Sequence, residues 1–244
     1  MSSDADRILS ELAVVDAERR RRAADPDLAR RVFALKAYQQ LRFSHTYADL
    51  LTSERYAPAA RFFLDELYGP NDFTRRDAQF ARVVPALVRL FPREIVQTVA
   101  TLSRLHALSE SLDTEMALSL PSVVLDADVY AAGWRSTGRA RDREQQIALT
   151  LEVASALDAL TRKVLIRNSL RLMRGPARAA GLSELQVFLE MGFDTFRAMR
   201  GASEFIRIVD EREHTLARTL FDDRVSASVS GLLPDAADAR RPHR

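Results

Sequence analysis

Apolar side chains recur every three to four residues through almost the whole chain, the spacing that lines one face of an α-helix. Local punctuation divides this pattern into about eight helices. The first covers about residues 5–24, opened by Ser3 or Asp4. Asp25-Pro26 restarts the chain, with aspartate as cap and proline at the first helical position. The helix it opens reaches about residue 51 and ends at Thr52-Ser53. Pro58 begins a short helix that Gly69-Pro70 stops near residue 68. Thr74, with Asp77 three residues on, predicts the next cap. That helix carries Pro85, whose ring clashes with the Ala81 carbonyl, so a kink or a break is expected there. Pro92 starts a helix that reaches Leu118. Asp128 to Arg135 predicts a short one, and Ser122-Val123-Val124-Leu125 is too isolated to make a sheet.

The broadest apolar face lies over 140–174 and includes Ile147, Leu151, Leu157 and Val164, which predicts a helix at the centre of the bundle, ended by Gly175-Pro176. Ser183 caps a helix over 184–200 with Leu185, Leu189, Gly192 and Phe196 on one stripe. Gly192 costs about 1 kcal/mol of helix propensity, which a close helix contact would offset. Gly201 ends this helix, and Ser203 caps a last one to about Phe221. The expected fold is all-α, an irregular multi-helix bundle forming a single domain over residues 1–222. Residues 223–244 are expected to fray. The first helix is arginine-rich on one side and is expected to pack peripherally or to mediate self-association.

Composition agrees with this fold class. The chain has 8 glycines and 9 prolines, too few for an all-β protein of 244 residues. It has no cysteine, which excludes disulfides, thiolate metal sites and a cysteine nucleophile. The 36 basic and 34 acidic residues leave a charge of +2, and every basic residue except Lys36 and Lys163 is arginine. The run Arg19 to Arg22 is flanked by Asp16, Glu18 and Asp25 and reads as a solvated face, so nucleic-acid binding is not expected. No apolar run approaches the roughly 18 residues of a membrane span, and the acidic N-terminus has no secretory signal. A cytoplasmic address is expected.

Aromatic residues are unevenly spread. Residues 38–91 hold Tyr38, Phe43, Tyr47, Tyr56, Phe62, Phe63, Tyr68, Phe73, Phe80 and Phe91, whereas 92–187 hold only Tyr130 and Trp134. The stretch 62–77 admits two readings. It is a helical corner whose rings fill a core, or an aromatic-walled pocket with Arg61, Asp72, Arg76 and Asp77 as its polar groups. Its pattern Phe-Phe-Leu-x-x-Leu-Tyr-Gly-Pro-x-Asp-Phe-x-x-Arg-Asp resembles a family of uncharacterised proteobacterial all-helical proteins. The resemblance covers about the first 120 residues best, and it implies no catalytic role.

Histidines supply the other candidate chemistry. His45 shares a face with Tyr38 and Leu41, and His106 continues the stripe of Val99 and Leu102. Both are expected to point inward. Each is either a hydrogen-bonded core residue or a ligand position for a haem, a metal or a small apolar molecule. Glu211-x-x-His214 has the spacing of a di-iron motif but no second copy, and it lies on a charged face. Two functions follow from these residues. The first is a non-enzymatic interaction protein that binds an unidentified protein partner through the 62–77 corner. The second is a bundle that holds a ligand beside His45 or His106.

Overall fold

The structure, a computed structural model, describes residues 3–66, 69–222 and 232–234, with Val164 by its backbone alone. Among the described residues every regular element is a helix. In chain order these are α1 (Asp4–Ala23), α2 (Pro26–Thr46), α3 (Ala48–Thr52), α4 (Ala57–Glu66), α5 (Thr74–Leu90) and α6 (Arg93–Ser119). Then come α7 (Ala127–Thr137), α8 (Ala140–Thr161), α9 (Val164–Leu172), α10 (Arg174–Ala179), α11 (Ser183–Ala198) and α12 (Ser203–Phe221). No helix among the described residues is long and apolar enough to cross a membrane.

The first two caps form as their residues dictate. Ser3 and Asp6 make a reciprocal capping box, with the Asp6 N–H 3.1 Å from Ser3 Oγ. Asp25 Oδ1 accepts from the N–H groups of Asp27 and Leu28 at 3.0 and 3.1 Å. Asp126 caps α7 in the same way, accepting the Val129 N–H at 2.8 Å, but two other caps come from elsewhere. Asp72, not Thr74, serves the start of α5, accepting from the Thr74 N–H at 2.9 Å. At the start of α11 the acceptor is Gln79 of α5, which takes the Leu185 N–H at 3.0 Å in place of the expected Ser183.

The axis of the bundle is α6, about 40 Å long for its 27 residues. It packs on α1, α2, α7 and α8, and α12 lies across α8 and α7. The expected centre, a helix over 140–174, does not exist as one element. It is cut after Thr161, where Lys163 takes extended backbone (φ −87°, ψ 105°), and Gly175-Pro176 fall inside α10. The helix expected over 26–51 is likewise interrupted at Tyr47, whose ring is buried and whose hydroxyl donates to Glu213 at 2.7 Å. Of the kink or break expected at Pro85, the break does not occur, and α5 continues through the proline.

Three apolar clusters make the core. One joins Leu35, Tyr38, Met116, Trp134 and Leu220. A second joins Tyr47, Tyr56, Phe196, Met199 and Phe205. A third joins Ile8, Leu12, Val84 and Val96 and makes α1 integral rather than peripheral. The expected fraying tail also needs correction. Leu233 is 1% exposed within the first cluster, and Tyr38 donates its hydroxyl to the Pro234 carbonyl at 3.2 Å. Residues 223–231 and 235–244 lie outside the described residues.

Candidate anion-binding cleft

The aromatic corner is spent on packing. Phe62 is buried and stacks on Phe188 of α11, with centroids 5.5 Å apart. Phe63 stacks on Phe205 at 5.8 Å. The Arg76 guanidinium lies between Phe73 and Phe188, 4.0 and 4.2 Å from their centroids, and donates to the Glu66 carbonyl at 3.1 Å. Burial pulls Arg76 below its ordinary pKa. Asp72 is held low by its bond to Thr74. Arg61 faces solvent, and Tyr68 lies outside the described residues. Among the described residues the corner is therefore a join of α4, α5 and α11 and not an aromatic-walled pocket.

The histidines also part ways. His45 was expected to point inward but is exposed, because α2 turns Tyr38, Arg42 and Phe43 into the core instead. His106 is half-buried, with Nε2 2.8 Å from Asp77 Oδ2, and Arg19 donates to the same oxygen at 2.6 Å. Burial alone would raise the Asp77 carboxyl; His106 and Arg19 outweigh it and hold it low. His214 sits on the surface beside Asp210, 2.7 Å away.

One turn beyond His106, Glu110 is buried between Arg22, with which it pairs, and Lys36 at 2.6 Å. Burial would raise this carboxyl too, but the two cations hold it at about 2. Arg22 is thus not part of a solvated face. The signal was present in the sequence, since Ile8, Leu12, Val15, Arg19 and Arg22 continue one helical stripe. These ion pairs brace α1, α2, α5 and α6. Their carboxylates are already matched to cations and offer a ligand little.

Unmatched charge lies elsewhere. Thr161, Arg162, Arg197, Arg200 and Gly201 line a cleft of about 370 Å³ where α8 and α11 end and α12 begins. Arg162 pairs with Asp158 at 2.5 Å, and Asp158 accepts the Ala202 N–H at 3.0 Å. Arginines at helix C-termini commonly serve the last carbonyls. Here Arg55 does that work, donating to the carbonyls of Met199 and Gly201 at 2.9 and 3.0 Å. The side chains of Arg197 and Arg200 have no hydrogen-bond or ion-pair partner among the described residues. Arg200 also holds a left-handed backbone, φ 53°, which costs a non-glycine residue about 1–2 kcal/mol. Among the described residues no side chain caps α12, which leaves first-turn N–H groups two residues from Gly201.

The cleft sits at the edge of a basic region. Residues 159–183 contain Arg162, Lys163, Arg167, Arg171, Arg174 and Arg178 and no carboxylate. Extending to residue 201 gives eight cations against Glu184, Glu190 and Asp194, a surplus of five in a chain whose total is +2. A family described as a domain of unknown function, DUF8198, matches residues 18–227. The chain belongs to that family. The DUF8198 region takes in Arg19, Arg22, Glu110 and the whole of the arginine-lined cleft. No curated protein and no solved structure matches the chain.

Proposed function

We propose that the protein is a helical interaction protein that works by binding, and that its working site is the Arg162–Arg197–Arg200 cleft, which takes a phosphate-type anion. The observation that carries this reading is a pair of guanidinium groups, Arg197 and Arg200, that line one cleft and have no hydrogen-bond or ion-pair partner among the described residues. Guanidinium forks match phosphate oxygens in geometry and charge. The uncapped start of α12 adds N–H donors and the positive end of its dipole close by. The 62–77 corner is not the proposed partner surface, because its described rings, Phe62, Phe63 and Phe73, are occupied within the fold.

The test is isothermal titration of the full chain with inorganic pyrophosphate at low salt. The expected result is saturable binding that weakens with added salt, and an affinity lower by about tenfold or more in Arg197→Gln/Arg200→Asn. Asparagine suits the left-handed backbone at 200, so this variant should keep the wild-type melting temperature. Absence of binding, or equal affinity in the variant, would reject the site.

A further inference from the structure

We infer that α9 is an interfacial helix that seats the protein on an anionic lipid surface, with a headgroup phosphate in the Arg162–Arg197–Arg200 cleft. This inference rests on the anion reading of that cleft and names the source of the anion.

Among the described residues α9 buries no side chain, although five of its nine residues are apolar. Leu165 and Leu172 are 80% and 78% exposed, and Met173 follows at 45%. Seven residues separate the two leucines, so they share a face and stand about 10 Å apart along the axis. The opposite side of α9 is held to α11 by polar contacts. Gln186 donates to the Leu170 carbonyl at 2.7 Å, Arg167 lies 3.8 Å from Asp194, and Arg174, just past the helix, donates to Glu190 at 2.7 and 2.8 Å. Leu165 and Leu172 lie about half a turn round the helix from Arg167 and Leu170, and so point away from the protein.

Charge complementarity selects the occupant. The exposed leucines stand in a segment with six cations and no carboxylate. Four of the six pair with carboxylates outside it, Arg162 with Asp158, Lys163 with Glu94, Arg167 with Asp194 and Arg174 with Glu190, while Arg171 and Arg178, like Arg197 and Arg200, have no ion-pair partner among the described residues. Arg162, which lines the cleft, precedes Leu165 by three residues. A basic helix with protruding leucines fits the headgroup boundary of an anionic bilayer, where cations meet phosphates and apolar tips enter the acyl region. Nucleic acid would match the cations but would leave both leucines in water. A protein partner would have to bring an apolar groove for two side chains that protrude.

The experiment is co-sedimentation of the full chain with vesicles of phosphatidylglycerol and phosphatidylcholine, and with phosphatidylcholine alone. Each protein is also titrated with pyrophosphate. Wild type is expected to bind the anionic vesicles and not the neutral ones. Leu165→Ser/Leu172→Ser should lose about a hundredfold in vesicle affinity while keeping its melting temperature and pyrophosphate affinity. Arg197→Gln/Arg200→Asn should weaken both kinds of binding, by roughly fivefold per cation on vesicles. Pyrophosphate binding without vesicle binding would overturn the lipid inference and leave the cleft standing. Vesicle binding indifferent to the two leucines would overturn the role of α9. Failure of both ligands would remove the cleft reading as well.

Discussion

Arg22 and Lys36 converge inside the fold on one carboxylate, Glu110, which stands between them. Taking one member from such a group leaves the others desolvated and uncompensated. Glu110→Gln should therefore lower the unfolding free energy by about 3 kcal/mol, read from urea denaturation at pH 7. The same carboxylate sets an acid limit. Its folded-state value of about 2 lies below the ordinary 4.5, so its contribution is complete above that ordinary value and fades as pH falls toward 2. Asp77, also held low, works in the same direction. Wild-type stability should drop steeply over this acidic window, and in Glu110→Gln the drop should be shallower. Equal pH profiles would show that the ion pairs do not brace the fold. The arginine run that holds Arg22 reads as solvated from its acidic neighbours, because the carboxylates that bury it lie some ninety residues away.

At the scale of elements, α4 and α11 meet where the sequence calls for a close approach. A Cβ at Gly192 would stand 3.0 Å from Phe62 Cζ, so the ring occupies the space a side chain would need. Gly192→Val should cost about 2 kcal/mol in urea denaturation, as overpacking does. Gly192→Ala should be near neutral, because its gain in helix propensity of about 1 kcal/mol opposes the crowding. A stable valine variant would mean that Phe62 is free to move. This contact, the all-helical class, the caps at Ser3 and Asp25 and the helix over 203–221 are legible from local residues. The cut between α8 and α9 is not, since Arg162-Lys163 contains no breaker. What meets the chain there is tertiary: Asp158 near the end of α8 is bonded to the Ala202 N–H, and Lys163 pairs with Glu94 of α6. Reading 140–174 as one helix hides the exposed face of α9, and with it the surface proposed to touch lipid. The acid-free run over 159–183 was the available signal, masked by a total charge close to neutral.

For the whole molecule, the net charge of +2 is the sum of two unlike parts. Residues 159–201 carry a surplus of five, so the remainder is negative by three. Such asymmetry orients a protein toward an anionic surface in a way that the total cannot convey. The apolar residues divide on the same logic. Leu165 and Leu172 stay in water within the basic region, while Leu233, from a stretch that reads as a polar tail, is drawn into the core beside Leu220 and Tyr38. If burial assigns these roles, Leu233→Ala should cost about 2–3 kcal/mol in urea denaturation through lost transfer energy and the cavity left behind. Leu172→Ala should stay within about 0.5 kcal/mol of wild type, because the change removes little buried surface. The opposite ranking would place the last residues outside the cooperative unit and α9 within it, and would leave α9 no free apolar face to offer a bilayer.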